Sequence, residues 1–288
     1  MAPDTAVLIL NYNGERFLKG TLDSLVAQKR RVTIVVIDNN SKDGSRELIK
    51  SHYPMVELIK NKENFPFGKA YNRVMSRRKE KYVLILNNDI TVEPDAIGKA
   101  EDLLKKNKDI AAVVFLEFQM DEPIKFPYDW DYIIKKRFGK DFGTLVHFKS
   151  RKDPPRRTIF FWGGASLIRT KVVKKVHFDE DFGWYFEDVD LGWSIHNKLG
   201  MECLISPDCI VHHMGGMSTK KRFSDKERDR QNHRNSMLSF AKNATTGEMF
   251  RGFPEMFYHL VLQKDRAQLI RQMRHKRKHE RNKPDKAK

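Results

Sequence analysis

The sequence predicts an α/β fold in which helices flank a mostly parallel sheet. Four short, nearly continuous apolar runs occur within the first 115 residues, at 6–10, 32–37, 82–86 and 110–115. Such runs are typical of strands that are buried on both faces. Amphipathic stretches separate the runs, and the connections are short. This alternation of strand and helix favours parallel strands joined by right-handed crossovers.

The helices are predicted from apolar spacing and from their boundaries. Phe17, Leu18, Leu22, Leu25 and Val26 recur at helical intervals. Residues 68–79 and 94–106 also read as helices, and Pro94 suits a first turn. Ligands bind at the carboxyl ends of the strands in parallel sheets of this kind, so the polar residues that follow these strands are the candidates for a site.

The second half of the chain is less regular. Residues 116–158 are rich in aromatic residues, charges and prolines, and we expect an irregular insertion there. Regular structure is predicted again for 158–169, for a helix over 187–199 that ends at Gly200, and for a short strand over 202–205. Residues 214–233 are expected to form a mobile basic loop.

The chain is predicted to comprise a catalytic domain over 1–245 and a small C-terminal helical extension with a basic tail over 246–288. The formal charge is +17, and residues 264–288 alone hold eleven Lys or Arg against three Asp or Glu. A solvated tail is one interpretation, and attraction to an anionic membrane surface is the other. An apolar stripe precedes the tail, and it suits core packing, a membrane interface or a homodimer contact equally. Its residues are Phe253, Met256, Phe257, Leu260 and Val261.

The cysteines and the N-terminus bear on location. Cys203 and Cys209 match no zinc or redox spacing, so we expect reduced, buried thiols. A strand begins almost at once, which leaves no room for a signal peptide, and no apolar run approaches the ~20 residues that span a bilayer. The expectation is a cytoplasmic protein, either soluble or peripheral on the cytoplasmic face of the membrane.

Three polar clusters follow predicted strands or open a predicted helix. The first strand ends in 11–14, Asn-Tyr-Asn-Gly, and the second runs into Asp38 and Asn40. Asp38 follows an apolar run, and its carboxylate there can accept from a base N–H or a ribose hydroxyl. The third cluster is 64–72, where Gly68 would let a backbone approach an anion at a helix start. Each of these clusters could equally be an ordinary turn or helix start.

The fourth cluster, Asn87-Asn88-Asp89, carries the most weight. An acidic side chain that emerges from a buried strand is costly unless it meets a cation or a donor. Residues 87 and 89 lie on the same side of an extended chain and offer oxygen ligands to a hard divalent ion. Asn87 also argues against an aspartyl-phosphate phosphatase, which needs a nucleophilic carboxylate at that position.

Two further clusters lie late in the chain. Three carboxylates, among them Glu187 and Asp188, open a predicted helix directly after Trp184 and Tyr185. The helix dipole alone would favour these acids, but the aromatic approach suits sugar rings. His213 opens a loop with two glycines and is placed to bind a metal. Trp162-Gly163-Gly164 interrupts an apolar run.

Taken in order, these pieces resemble the inverting family 2 glycosyltransferases with the GT-A fold, particularly their rhamnosyltransferase-like branch. The resemblance covers about residues 5–245. It extends over the clusters above, adds 178–180 and 234–235, and implies a Rossmann-like GT-A domain that transfers a sugar from a nucleotide sugar to an acceptor hydroxyl. One departure is Pro66, where the family usually has glycine.

The resemblance also implies roles for individual residues. Asp188 would be the general base, with Glu187 as the second candidate. Asp89 and His213, supported by Asn87, would bind Mn²⁺ or Mg²⁺ on the diphosphate of a UDP- or dTDP-sugar. Sugar or acceptor contacts are expected from Trp162, Gly163, Gly164, Trp184 and Tyr185. Donor contacts are expected from Asn11, Tyr12, Asn13, Asp38, Asn40, Asn64, Gly68, Asn72, Asn88 and Arg234.

The acceptor is expected to be a glycan or a lipid-linked sugar in polysaccharide or envelope synthesis. Two other functions fit the sequence less well. A sugar-phosphate nucleotidyltransferase would open with a glycine-rich basic loop, which 11–14 is not. A nucleic-acid-binding protein would need stacking aromatics that 264–288 lacks, so no nucleic-acid partner is expected. The sequence does not identify the donor sugar, its base or the acceptor.

Overall fold

The structure is a computed structural model, and it describes residues 2–117, 124–125, 147–148, 150–214 and 224–248. Within these ranges the chain forms nine strands of one sheet and a separate two-stranded ribbon. The strands are β1 Thr5–Asn11, β2 Thr33–Asp38, β3 Glu57–Lys60, β4 Tyr82–Asn87, β5 Ile90–Val92, β6 Ile110–Glu117, β7 Ile124–Lys125, β8 His147–Phe148, β9 Arg156–Thr158, β10 Ala165–Arg169 and β11 Glu202–His213. Strands β7 and β8 form the ribbon.

Seven α-helices occur in the described part of the chain. They are α1 Glu15–Val26, α2 Ser45–His52, α3 Phe67–Met75, α4 Ala96–Lys106, α5 Thr170–Val173, α6 Glu187–Leu199 and α7 Asp225–Asn243. The predicted helices of the first half and the helix over 187–199 are therefore present.

The sheet has the strand order β3-β2-β1-β4-β10-β6-β11-β5, with β9 paired to β11. Strands β1, β2, β3 and β4 pair in parallel, and so do β6 and β11. Strand β10 runs antiparallel between β4 and β6, and β5 and β9 run antiparallel to β11. The predicted mostly parallel sheet flanked by helices is confirmed. The antiparallel strand β10 in its centre was not predicted.

The core lies on both faces of the sheet, as continuous apolar strands require. Every residue of β6 is buried, and β4 is buried except for its last residue. Buried residues of α1, α3 and α4 pack on the sheet. Because β1, β2 and β4 are parallel neighbours, their carboxyl ends meet at one edge, where Asn11 aligns with Asp38 and Asn87 aligns with Leu10.

Two predictions about the second half were wrong. The strand predicted over 202–205 continues to His213, because the turn-like residues after Ser206 form a bulge and pairing with β6 resumes at Ile210. The mobile loop predicted over 214–233 is helical from Asp225 onward. Ser224 and Glu227 form a capping box at the start of that helix. The many charged residues of the segment had favoured a loop.

Several predictions fall on residues outside the described part of the chain. They include most of the insertion over 116–158, the stripe from Phe253 to Val261 and the basic tail over 264–288, so a membrane or dimer contact there stays a prediction. Among the residues that the structure describes, no helix has the length and apolar character needed to cross a bilayer. Cys203 and Cys209 are buried free thiols, and burial raises the pKa of each to about 12.

Candidate active site

One cleft at the carboxyl edge of the sheet brings most of the predicted site residues together. Its volume is about 290 Å³. The residues that line it are Leu10, Tyr12, Asn39, Asn64, Phe67, Asn87, Asn88, Asp89, Trp162, Gly163, Gly164, Trp184, Tyr185, Glu187, Asp188 and His213. All of the predicted catalytic, metal and sugar-contact residues are thus in its wall.

Asparagine side chains hold the loops around the end of β1 in place. Asn88 Nδ2 donates to Asn11 Oδ1 at 2.8 Å, and Asn11 Nδ2 donates to Ser41 Oγ at 3.2 Å. Ser41 Oγ also accepts from the main-chain N–H of Asn13, at 3.0 Å. A Cβ atom at Gly14 would lie 2.0 Å from Asn88 Nδ2, so only glycine fits. Asn11, Asn13 and Asn88 therefore shape the site through contacts within the protein.

Asp38 is fully buried at the end of β2. Its Oδ2 accepts from Arg46 at 2.7 Å and from the N–H of Ser41 at 3.2 Å. Its Oδ1 is buried and has no hydrogen-bond donor within the described chain. A buried acceptor without a partner costs about 1–3 kcal/mol, which a ligand N–H or O–H would recover. The pairing with Arg46 was not predicted from sequence.

Hydrogen bonds join the loop that follows β3 to the end of β2. Asn39 Nδ2 donates to Asn64 Oδ1 at 2.7 Å and to the carbonyl of Phe65 at 2.8 Å. Asn39 Oδ1 accepts in turn from the N–H of Phe65, at 3.2 Å. Asn64 lines the cleft as predicted, and Pro66 directly precedes α3 without disturbing this latch.

Gly68 and Asn72 lie outside the cleft wall, and so do five more of the ten predicted donor contacts: Asn11, Asn13, Asp38, Asn40 and Arg234. A Cβ at Gly68 would come within 2.7 Å of Phe178 Cβ, so this glycine permits close packing of α3 on that segment. Asn72 Nδ2 donates to the carbonyl of Phe178 at 2.9 Å, and its Oδ1 accepts from the Phe178 N–H at 3.1 Å. The signal for close backbone approach at Gly68 was correct, but the partner is protein.

Of three further predicted donor contacts, Tyr12 lines the cleft, whereas Asn40 and Arg234 do not. Tyr12 lines the cleft and is 43% exposed. Asn40 has a positive φ of 68°, and its Oδ1 accepts from Lys42 Nζ at 3.2 Å. Arg234 lies on α7 and donates from Nη1 to Asn235 Oδ1 at 2.8 Å, and it is not among the residues that line the cleft.

Asp89 and His213 meet although more than a hundred residues separate them in sequence. Pairing of β11 with β5 aligns His213 with Ile90 and so brings the imidazole to Asp89. Asp89 Oδ1 and His213 Nε2 are 3.2 Å apart. On the other side of the ring, Glu117 Oε1 lies 3.6 Å from Nδ1. Hydrogen bonding to Asp89 and then to Glu117 raises the pKa of His213 to about 10.

This donor set fits a divalent ion. Adjacent ligands of an octahedral ion with bonds of about 2.1 Å are about 3 Å apart, close to the Asp89–His213 separation. A carboxylate on the far ring nitrogen, as Glu117 supplies, is typical of metal-bound histidine. The described residues hold no cluster of three or more acidic, His or Cys ligands. Glu117 was not predicted, because it ends an otherwise apolar strand.

The adjacent carboxylates at the start of α6 have different surroundings. Asp188 accepts from the N–H of Gly163 at 3.0 Å and from that of Val189 at 2.8 Å. Glu187 is 8% exposed, and its Oε2 is buried without a hydrogen-bond partner in the described chain. Burial raises the pKa of both groups, and that of Glu187 is held well above its usual range. Burial disfavours the ionised form of both groups, but only Asp188 has two main-chain N–H donors that stabilise its negative charge.

Aromatic rings and a glycine pair form the wall beside these carboxylates. Trp162, Trp184 and Tyr185 all line the cleft. A Cβ at Gly164 would lie 2.3 Å from the Trp162 ring, so the chain folds back tightly there. The Gly164 carbonyl accepts from the N–H of Asn87 at 2.9 Å and so joins this wall to the end of β4.

Comparison with solved structures defines the class of protein. S. aureus TarS (1–349), solved in complex with UDP-GlcNAc, superposes with a TM-score of 0.62 at 13% identity over 94% of this chain and 79% of that chain. The mannosyltransferase of Pyrobaculum calidifontis, solved with GDP-Man and Mn²⁺, gives a TM-score of 0.57 at 15% identity over 99% and 77%. At these identities the likeness concerns the fold, which is that of the GT-A glycosyltransferases.

The sequence places the chain in a family. The model for glycosyl transferase family 2 matches residues 6–176, more than half of the chain, so the protein belongs to glycosyl transferase family 2. The N-acetylglucosaminyl-diphospho-decaprenol L-rhamnosyltransferase of Mycobacterium tuberculosis is 25% identical over 74% of this chain and 76% of its own length. An uncharacterized glycosyltransferase of Methanocaldococcus jannaschii is 25% identical over 62% of this chain, which spans 60% of that relative. Asp188 and His213 lie beyond residues 6–176, the range that the family model matches.

Proposed function

We propose that this glycosyltransferase moves a sugar from a nucleoside-diphosphate sugar to an acceptor hydroxyl by a metal-assisted, inverting displacement. The observation that carries the proposal is a single cleft with a metal-type pair, Asp89 and His213, on one side and the hydrogen-bonded carboxylate of Asp188 on the other. In-line displacement needs both functions, one at the leaving group and one at the nucleophile.

The donor nucleoside is assigned to the end of β2. Asp38 Oδ1 is the buried acceptor that lacks a partner, and it accepts an N–H or O–H of the nucleoside in this proposal. Tyr12 and Asn64 line the cleft nearby, which supports a position for the rest of the nucleoside between β1 and the loop after β3. A carboxylate oxygen cannot donate, so it needs a donor from the nucleoside, such as a ribose O–H or the ring N–H of uracil, thymine or guanine.

The metal is assigned to Asp89 and His213, with Asn87 beside them. A divalent ion held there would neutralise the charge that develops on the diphosphate as it leaves. The mixed oxygen and nitrogen ligands make Mn²⁺ at least as suitable as Mg²⁺. Glu117 holds the ring of His213 through Nδ1 and leaves Nε2 directed at Asp89.

Asp188 is the general base in this mechanism, and its neighbour Glu187 is not. Two main-chain N–H groups fix the Asp188 carboxylate and stabilise its charge, whereas burial disfavours the ionised form of Glu187. Asp188 takes the proton of the acceptor hydroxyl, whose oxygen forms a bond to the anomeric carbon. The bond from that carbon to the diphosphate oxygen breaks, and the nucleoside diphosphate departs with the electron pair.

The acceptor is a sugar-bearing molecule in this proposal. Trp162, Trp184 and Tyr185 offer aromatic faces next to Asp188, and such faces pack against sugar rings. The Mycobacterium relative is named for a lipid-linked sugar acceptor, which supports a glycan or lipid-linked acceptor here. That acceptor class also suits the predicted role in polysaccharide or envelope synthesis.

The test is a panel of UDP-, dTDP- and GDP-sugars, each screened for thermal stabilisation of the protein with and without Mn²⁺. The donor that stabilises the protein is then incubated with candidate acceptors. We expect metal-dependent release of nucleoside diphosphate and a product of inverted anomeric configuration. Formation of a nucleoside triphosphate and a sugar phosphate when pyrophosphate is added to the nucleotide sugar would instead indicate a nucleotidyltransferase. Equal thermal stabilisation with and without Mn²⁺ would remove Asp89 and His213 from the proposed role.

A further inference from the structure

The segment that leads into the two carboxylates has an unusual backbone. Gly183, Tyr185 and Phe186 have φ values of 71°, 69° and 69°. A left-handed conformation costs a residue with a side chain roughly 1–2 kcal/mol, and two such residues are adjacent here. Phe186 is also the residue that caps α6, so this conformation sets the direction in which Asp188 leaves the helix start.

A single side chain of α7 binds the main chain of this segment at three places. Asn235 is fully buried, and its Nδ2 donates to the carbonyls of Phe182 at 2.9 Å, Trp184 at 2.8 Å and Tyr185 at 2.6 Å. Its Oδ1 accepts from Arg234 Nη1. Three carbonyls on one side and a guanidinium on the other leave one orientation for the carboxamide.

We propose that Asn235 is a positioning residue, which holds the 182–186 segment in its strained form and so directs Asp188, Trp184 and Tyr185 into the cleft. The inference rests on the proposed function of this cleft. Without the carboxamide, the carbonyls of Trp184 and Tyr185 lose the hydrogen bonds from Asn235, and the Phe182 carbonyl keeps its bond from Gln231 Nε2 at 3.2 Å. The left-handed residues are then free to relax. The segment carries the base and the aromatic wall, so the acceptor side of the reaction is affected.

The donor side is held by other contacts. Asn39 Nδ2 donates to Asn64 Oδ1, and Arg46 donates to Asp38, so these contacts do not involve α7. The packing of α7 on α6 also has a second anchor, since Lys242 Nζ donates to the buried Asp190. Loss of Asn235 therefore disturbs one loop in a molecule whose remaining contacts stay in place.

The experiment compares Asn235→Leu and Asn235→Ser with Ser236→Ala. Ser236 is the buried neighbour on the same helix, and its hydroxyl donates only to the carbonyl of His233, at 2.8 Å. A displacement of about 1 Å at a reacting group costs about 10²-fold in rate. We expect kcat to fall by about 10–100-fold and the acceptor KM to rise in both Asn235 variants, with donor affinity within about twofold of the wild type.

Hydrogen exchange without substrates provides a readout that does not depend on activity. In the Asn235 variants, exchange should accelerate in peptides that cover 182–190 and stay unchanged in those that cover 38–45. Ser236→Ala should change neither. Unchanged exchange over 182–190, or donor affinity that falls in parallel with kcat, would overturn the proposal. Failure of the wild type and of Ser236→Ala to transfer sugar would instead contradict the proposed function. Asn235→Ser, the smaller change, serves if the leucine variant does not fold.

Discussion

The cleft has two halves that are built in different ways. The half that we assign to the nucleotide lies at the ends of β1, β2 and β4. Hydrogen bonds between amide side chains of the loops that follow neighbouring strands, such as that between Asn39 and Asn64, hold it in place. The half that we assign to the reaction combines the turn before β10, the start of α6, the end of β11 and a side chain of α7. The first half is a product of neighbouring strands, and the second depends on contacts between distant parts of the chain.

This difference teaches where strain and unpaired groups collect. In the described chain the nucleotide half has one unsatisfied buried atom, Asp38 Oδ1, and two separate left-handed residues, Asn13 and Asn40, of a type that tolerates this conformation. The reaction half has two consecutive left-handed residues and the buried Oε2 of Glu187. Strained backbone and buried acids persist only where surrounding contacts impose them, and they concentrate at sites of chemistry. The two halves should therefore respond differently to substitution.

The largest effect is expected in the reaction half, from Asp188→Asn. The amide keeps the size of the side chain but cannot take the acceptor proton, and loss of a general base costs about 10²–10⁴-fold in rate. We expect kcat to fall by that factor while donor affinity, measured by calorimetry with Mn²⁺, stays nearly unchanged. Glu187→Gln is the matched comparison, and it should reduce kcat less because burial already disfavours the ionised form of that carboxyl. Equal loss of transfer and donor binding in Asp188→Asn would contradict the division into halves.

The second largest effect is expected at the proposed metal pair, Asp89 and His213. Asp89→Asn removes a charged ligand, and the metal is worth several kcal/mol of charge stabilisation in such reactions. We expect a loss of at least about 10²-fold in kcat/KM and a weaker Mn²⁺-dependent rise in Tm. Asn87→Ala is the comparison, because that residue is a neutral and weaker ligand candidate in the same wall. If Asn87→Ala were the more damaging of the two, the metal assignment would have to be revised.

The sequence predicted the two halves unequally, and the physical reason is locality. Asp38 and Asn87 were found because polar residues at the ends of buried parallel strands must meet at one edge. Gly68 gave a true signal of close approach, but its partner Phe178 lies far along the chain. Glu117 and Asn235 carried no local signal, since one ends an apolar strand and the other lies in a polar helix. Those roles arise only from tertiary contacts.

A smaller effect is expected in the nucleotide half, from Asp38→Asn. The amide can keep one acceptor oxygen, but it loses the charge that pairs with Arg46 and strengthens the contact to the nucleoside. A hydrogen bond to a charged group contributes about 1.5–3 kcal/mol, so donor KM should rise about 10–100-fold. The kcat at saturating donor should change little, which is the opposite pattern to Asp188→Asn. A fall in kcat without a change in donor KM would place the nucleoside elsewhere.

The smallest effect is expected from Glu117→Gln, because two consequences oppose each other. The pKa of His213, raised to about 10 by Asp89 and Glu117, means that the ring holds a proton at neutral pH that a metal must displace. Apparent Mn²⁺ affinity of the wild type should therefore rise by up to about tenfold per pH unit between about pH 6.5 and pH 8.5.

Loss of the carboxylate in Glu117→Gln weakens the orientation of the His213 ring, which costs about 10–100-fold in Mn²⁺ affinity. The same loss also lowers the pKa of His213 and so reduces competition from the proton. Titration of Mn²⁺ by electron paramagnetic resonance at several pH values should show a modest loss at high pH and a flatter dependence on pH. A dependence as steep as that of the wild type would show that Asp89 alone sets the protonation of His213.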